Sequence, residues 1–388
     1  MIRSVALRVG GYVMKIAYLA VKGMPQGGGI EKVTEEIGSR LVAKGHDVVV
    51  YSSRDYGTTS GIYKGMKIKT VSSVNSKALH KLSICYYATL DILHNSPVDV
   101  VHVHAVGPSL FSIFPRMKGI PTVVQTHGLE WKRDKWGPFG KMFLRLSDYS
   151  VAYFPSKTTA VSKVQKHYYE MRFGREVIYI PNGVSPVERR PPQWILEQGL
   201  APDKYLLFAA RLVPEKGAHF LIEAFRRIKT DMKLVIAGDA AHAEPYKARL
   251  RSLAGDDRRI LFPGFVTGSP LEDLFSNAYL FCLPSTLEGL PVALLEAMNY
   301  GNCCVSSDIP ENLEAVEDYG YTFRNRDAGD LRHVLTDLIE HPHKVYEKKR
   351  PAQEHVRKNY SWDAVTDQME ALYLSLLGNC STCEPARV

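Results

Sequence analysis

The chain has 388 residues, more than twice the ~150 of a typical domain, so two domains are expected and a single small binding module is excluded. Hydrophobic residues make up 45% and charged residues 23%, a globular balance that excludes disorder as the main state. The net charge of +8 is uneven: residues 1–186 hold 25 Lys and Arg against 12 Asp and Glu, and residues 187–388 hold 24 against 29, so anionic partners are expected on the first half.

Residues 1–13 contain basic residues but no continuous apolar run and no small-residue cleavage site, and read as a short extension before the first strand. From Met14, apolar runs alternate with amphipathic segments, the pattern of a parallel sheet with crossover helices. Lys15–Val21 is a buried-strand run, Gly27–Gly29 breaks it, and Ile30, Val33, Ile37 and Leu41 recur at helical spacing up to a stop at Gly45. Asp47–Ser53 completes a βαβ unit. VDVVHVHA, TVVQTHG, TTAVS and VIYIPNGV supply further strands up to Val184. Val100–Pro115, the longest stretch without Asp, Glu, Lys or Arg, has 16 residues including two histidines, short of the ~20 apolar ones a membrane span needs. His102 and His104 share one strand face, where core or hydrogen-bonding roles are expected rather than metal ligation.

Ser185–Trp194, rich in proline and charge, reads as a linker with a boundary near residue 187. Beyond it the alternation restarts with YLLFAAR, a helix from Gly217 to Ile228, KLVIAGD, a helix around Tyr246–Leu253, RILFPGF, YLFCLPS, a helix from Pro291, CCVSS and YTFR. The expected domains are 14–186 and 187–360. A last element, 361–388, closes the chain as a helix and tail, the helix packing back on the first domain. Six cysteines are too few for a disulfide scaffold, and Cys282, Cys303 and Cys304 sit in apolar runs, which fits a reducing cytoplasm. The C-x-x-C of Cys380 and Cys383 has no second pair nearby, so no structural metal is expected.

The most informative stretch is CLPSTLEGLPVALLEAMNYG, Cys282–Gly301. Gly289 permits a tight loop and Pro291 suits a first helical turn, which puts Glu288 on the loop and Glu296 in the second turn, facing one cleft. The free N–H groups of such a helix start suit an anion or a sugar hydroxyl. In ARLVPEKG, Ala210–Gly217, a strand runs into Arg211 and then Lys216 at a helix start, two cations suited to a departing diphosphate. The glycine turn Gly27–Gly29 with Glu31 lets backbone approach a phosphate, but no G-K-[ST] follows, so it is not a Walker loop. His127, immediately after a strand, is placed to donate to a substrate hydroxyl or to steady developing charge. No two aspartates are two apart, so the Asp-x-Asp that holds a divalent cation on a nucleotide diphosphate is missing.

These segments together resemble glycosyltransferase family four, retaining enzymes of the GT-B architecture that use nucleotide-activated sugars without a bound metal. The resemblance runs from Met14 to about Trp362, on GGGIEKV, HVHA, THG, AVS, IPNGV, ARLVPEKG, IAGD, PGFV and PSTLEGLPVALLEAM. It implies two Rossmann-like, doubly wound α/β domains facing a cleft. It also implies that Arg211 and Lys216 bind the donor diphosphate, Glu296 the ribose hydroxyls and Glu288 the transferred sugar. Backbone at Gly28, Gly29, Gly289 and Leu290 would line the phosphate and sugar, with His127 beside the sugar. Two departures stand out. GDAAHAEP replaces the frequent Gly-Asp-Gly-Pro, and DIPENLEAV, Asp308–Val316, replaces a glycine pair near the third loop, with Glu311 still following a tight turn.

The activity implied is hexosyl transfer from a nucleotide sugar to a polysaccharide or lipid-linked glycan, with the anomeric configuration retained and no cofactor. A double displacement would need a nucleophile ~5–5.5 Å from a second acid; neither Glu288 nor Glu296 suits that role, so same-face attack is expected. Two other readings stay open: a non-catalytic sugar-nucleotide-binding module, and an epimerase or phosphorylase of similar shape. In WKRDKWGPFGKMFLR, residues 131–145, the cations Lys132, Arg133 and Lys135 interleave with Trp131 and Trp136. That mixture suits an acceptor or an anionic membrane surface on the cytoplasmic side, and a sugar-nucleotide cleft gives nucleic acid no role.

Overall fold

The computed structural model describes residues 12–25, 28–56, 60–74, 76, 79–133, 136–240 and 243–378. Gly27, Lys135, Cys380 and Cys383 therefore lie outside the described residues, as do residues 1–11 of the extension and 379–388 of the tail.

The first sheet contains β1 (Lys15–Leu19), β2 (Asp47–Ser53), β3 (Gly61–Tyr63), β4 (Met66–Val71), β5 (Val100–His104), β6 (Thr122–Thr126), β7 (Lys157–Ala160) and β8 (Val177–Tyr179). Its order is β3-β4-β2-β1-β5-β6-β7-β8, and every pairing is parallel except β3 with β4. The second sheet contains β9 (Tyr205–Ala209), β10 (Lys233–Ala237), β11 (Ile260–Gly264), β12 (Leu280–Leu283), β13 (Cys303–Ser307) and β14 (Tyr321–Phe323), in the order β11-β10-β9-β12-β13-β14, all parallel. Helices cover both faces of each sheet, so the central strands are buried on both sides and read as unbroken apolar runs. Tyr205, Leu206, Leu207 and Phe208 are all fully buried.

Both sheets reverse their strand order once, between β1 and β5 in the first and between β9 and β12 in the second. In open α/β sheets the crevice outside the carboxyl ends at such a reversal is where ligands bind. The two crevices face each other, because Gly128 and Gly289, which follow strands of opposite domains, pack backbone against backbone.

The C-terminal segment is two helices, Pro342–Asn359 and Trp362–Gly378. The first stays with the second domain through Val345, Ala352 and Val356. The chain then turns at Tyr360–Ser361, where Val184 N donates to Tyr360 O at 2.6 Å and Trp362 N donates to Val184 O at 3.2 Å. The second helix packs back on the first domain as expected, burying Trp362, Val365, Met369 and Tyr373 with Ile16, Tyr18, Val33 and Ile37. Each such side chain contributes about 1.5–3 kcal/mol on burial. The ion pairs of Lys44 to Asp367 at 2.6 Å and Arg40 to Asp363 at 2.7 Å fix its outer face together with a hydrogen bond between His46 Nε2 and Glu370 Oε1 at 2.9 Å.

Candidate functional site

Arg211 leaves the carboxyl end of β9, and Lys216 closes the short turn Pro214–Lys216, two residues ahead of the helix Ala218–Phe225 rather than at its start. Gly217 sets this loop against the exit of β12. Its φ is +71°, and a Cβ there would lie 1.9 Å from Pro284 O, so no other residue fits without moving backbone. Thr286 N also donates to Glu215 O at 2.8 Å. The ARLVPEKG and LEG loops are thereby held side by side, and Lys216 Nζ reaches Glu288 Oε1 at 2.6 Å with both side chains largely buried. The Arg211 guanidinium has no hydrogen-bonding or ion-pair partner among the described residues, although its carbonyl accepts from Val213 N at 2.9 Å. Its guanidinium opens to solvent but is walled in by protein, and this desolvation, followed by the nearby charge of Arg133, lowers its pKa; Glu215, Glu288 and Glu31 oppose the shift.

Gly289 makes the tightest of several contacts between the domains that the site uses. A Cβ on it would lie 2.3 Å from His127 O. Asn182, in IPNGV, donates Nδ2 to Leu290 O at 3.0 Å, and the carboxylate of Glu314 accepts from Lys163 N at 2.8 Å. These contacts bring His127 to the second domain's loop. Its Nε2 stands 2.9 Å from His104 Nδ1, and His104 Nε2 stands 3.1 Å from Thr34 Oγ1. His102, on the same strand, turns to Tyr373 OH at 2.6 Å, and Tyr373 meets Tyr18 OH at 3.1 Å. Burial pushes His102 and His127 down to about 3, so both rings are neutral at pH 7.

Glu296 lies on the helix Val292–Asn299. Its pKa is raised by burial and then by Glu36, while Lys32 of the helix Gly29–Ala43 opposes the rise. Glu311 is also buried and shifted upward, first by desolvation, with Lys132 opposing and Glu288 adding to the rise. Gly28 and Gly29 differ from one another. Gly28 is the extended residue before the helix, and the Glu31 carboxylate fills the space a Cβ would take; nothing lies within 4 Å of a Cβ on Gly29. Of the two, only Gly29 leaves room for a ligand.

Beside the Lys216–Glu288 pair opens a cleft of about 770 Å³. Lys132, Arg133, Lys141, Arg145, Arg172 and Arg326 line it against one carboxylate, Glu215, among the described residues. Met142, Leu146 and Tyr149 give it an apolar wall. Trp131 and Trp136 are both half-buried, and Trp131 also lines this cleft. Trp131 packs toward the core beside Tyr168 with the Arg145 guanidinium 4.7 Å from its ring, and Trp136 lies against Gly140. The exposed apolar surface belongs to the following helix, Pro138–Tyr153, where Phe139 is 83% and Leu146 61% exposed.

Sequence reasoning missed Thr34, Lys32, Arg172 and Arg326. Asn182 was within reach, since it stands in the IPNGV motif. Among the described residues no group of three or more His, Cys, Asp and Glu is placed to hold a metal ion, and no helix is long and apolar enough to cross a membrane.

A family model described as Glycosyltransferase Family 4 matches residues 27–188, and one described as Glycosyl transferases group 1 matches residues 195–359. The chain is 27% identical to an uncharacterized glycosyltransferase of Methanocaldococcus jannaschii, over 93% of this chain and 98% of that protein. Among solved structures, sucrose-phosphate synthase from Thermosynechococcus elongatus superposes with a TM-score of 0.81 at 17% identity, covering 94% of this chain and 99% of that one. Anabaena HepE in complex with UDP-glucose superposes with a TM-score of 0.78 at 18% identity, covering 93% and 100%. Both likenesses are of fold, the GT-B arrangement of two facing Rossmann-like domains.

Proposed function

Because this chain belongs to the glycosyltransferases, its first half to Family 4 and its second to group 1, we propose that it moves a hexosyl group from a nucleotide sugar to a polysaccharide or lipid-linked glycan, with retained configuration and without a divalent metal. The observation that carries this reading is the convergence of Arg211, Lys216 and Glu288 at one sheet's strand-order reversal, with His127 held against Gly289 from the other domain.

The donor diphosphate lies on Arg211 and takes Lys216 from Glu288, which frees the Glu288 carboxylate to accept from sugar hydroxyls. Glu296, opposite Lys32, takes the ribose hydroxyls. In the transition state the bond from the anomeric carbon to the β-phosphate oxygen breaks, and the two cations stabilise the charge that gathers on that oxygen. The acceptor oxygen bonds to the anomeric carbon on the same face, and its proton passes to the departing phosphate oxygen. The cleft's six cations and its apolar wall of Met142, Leu146 and Tyr149 suit an anionic amphiphile as acceptor. Phe139 and Leu146 continue that wall outward toward a bilayer surface on the cytoplasmic side.

Incubation with UDP-, GDP-, ADP- and dTDP-sugars, scored for nucleoside diphosphate with and without glycan acceptors, tests the reading. Release that requires an acceptor is expected. Isomerised donor without release would mean an epimerase, dependence on inorganic phosphate a phosphorylase, and binding without turnover a sensor module; each outcome would overturn the transferase reading.

A further inference from the structure

Behind His127 runs a row of hydrogen bonds whose direction can be read from its far end. Thr34 donates its hydroxyl to Ile30 O at 2.9 Å. Toward His104 its oxygen is then an acceptor, so His104 carries its proton on Nε2, 3.1 Å away, and leaves Nδ1 as a lone pair. His127 Nε2, 2.9 Å from that lone pair, must carry a proton in turn. The remaining nitrogen of His127, Nδ1, is left as a lone pair. It has no partner among the described residues, on a half-buried side chain at the mouth of the cleft. His102, with its ring centroid 4.6 Å from that of His104, does not compete, because its Nδ1 is taken by Tyr373.

We propose that Thr34 and His104 are positioning residues that fix His127 as a hydrogen-bond acceptor, so that the group it meets on the transferred sugar is a hydroxyl that donates. The identity of that group rests on the glycosyl-transfer reading; the tautomer does not. A donor sugar lacking that hydroxyl, or carrying a carboxylate in its place, meets an unanswered lone pair and is refused. This row of hydrogen bonds holds only with neutral rings. His104 is held far below the usual histidine range by desolvation, then by His102, His127 and Lys81. His127 is pushed down to about 3 by desolvation, then by Lys81 and Arg133.

Thr34→Val removes the acceptor at the end of the row while keeping the side chain's shape. His104 then does better with its proton on Nδ1, His127 must accept at Nε2, and the nitrogen facing the sugar becomes a donor. Nitrogen-labelled histidine NMR on the free protein reads this directly, with His127 assigned by its loss in His127→Gln. In the unaltered protein both His104 and His127 are expected to carry their protons on Nε2. In Thr34→Val both move to Nδ1 and kcat/KM falls roughly tenfold, while nucleoside diphosphate affinity and melting temperature hold; Thr34→Ser restores both readouts. A proton on Nδ1 of His127 in the unaltered protein overturns the proposal, as does a Thr34→Val variant with unchanged signals and rate. Should Thr34→Val fail to fold, the spectrum of the unaltered protein decides. That spectrum needs no donor, so the tautomer can stand or fall independently of glycosyl transfer.

Discussion

Gly289→Ala places a methyl carbon 2.3 Å from His127 O and 2.8 Å from His127 C, where ordinary contacts begin at 3.4 Å. Both neighbours are backbone, so no rotamer change relieves the overlap, and the two loops must part by about 1 Å. His127 and Glu288 ride on those loops, one from each domain, so the parting separates the two groups proposed to hold the sugar. A misplacement of about 1 Å in a catalytic constellation can cost on the order of a hundredfold in rate, or about 2.7 kcal/mol in barrier. The methyl falls between domains rather than inside either core, so the melting temperature should stay within a few degrees. Steady-state kcat/KM for the donor at saturating acceptor, alongside a thermal melt, reads both quantities. Gly61→Ala, on the exposed edge strand β3, is the control for an added methyl: nothing lies within 4 Å of its added carbon. A Gly289→Ala enzyme within threefold of the parent in kcat/KM would refute the assignment of this contact to the working site.

Turnover should survive EDTA, because Arg211 and Lys216 supply the neutralising charge; complete loss restored by manganese would contradict this. Arg211→Ala removes a cation that makes no direct ion pair in the free site, and should raise the donor's Kd by roughly ten- to a hundredfold in a calorimetric titration. Lys216→Ala also frees Glu288 from its pair, and should lower kcat more than it weakens nucleoside diphosphate binding. The unfolded chain takes up histidine protons near pH 6.5, whereas buried His102 resists until about 3, so its contribution to stability is complete above 6.5 and lost as pH falls toward 3. His102→Gln should therefore flatten the dependence of urea stability on pH between 6 and 4 by about 1.4 kcal/mol per unit, and an unchanged slope would mean that His102 is not held neutral. Vesicles containing phosphatidylglycerol should cosediment the protein at low salt, less so at high salt or with Phe139→Glu and Arg145→Glu combined, and pelleting no better than with neutral vesicles would leave a soluble acceptor.

Much of the fold was legible because its central strands are buried on both faces. DVVVYSS and CCVSS read as strands with the bounds they have in the structure, Asp47–Ser53 and Cys303–Ser307. The edge was not legible. In β3 and β4, joined through Lys64 and Gly65 at positive φ, charged Lys67 and Lys69 alternate with buried or half-buried neighbours, and no apolar run announces the pair. The helix His80–His94 escaped for a different reason. It buries Ile84, Cys85, Ala88 and Ile92 but leaves Tyr86, Tyr87 and Leu90 exposed, so its apolar residues trace no single stripe.

The site divides along the same physical line. Arg211, Lys216 and Glu288 were legible because each stands at the end of a buried strand, where a change from apolar run to charge and glycine marks the sheet's carboxyl edge. What joins them is tertiary and leaves no local mark. Thr34, His104 and His127 form one row across two strands and a helix, with its first two members 70 positions apart in sequence, and only their packing gives the row a direction. Trp131 and Trp136 show the limit from the other side, because composition names an aromatic but not the way it faces. Trp131 sits in the three-residue 3-10 turn Glu130–Lys132, too short to give it a face, so facing is decided by what lies behind, Tyr168 for Trp131 and Gly140 for Trp136. The cations of the cleft come from both domains, Arg172 from the first and Arg326 from the second. No single stretch of sequence carries their joint charge, so the half-by-half count predicted an anionic partner for the first domain and could not place it at the seam, where an anionic group would meet both.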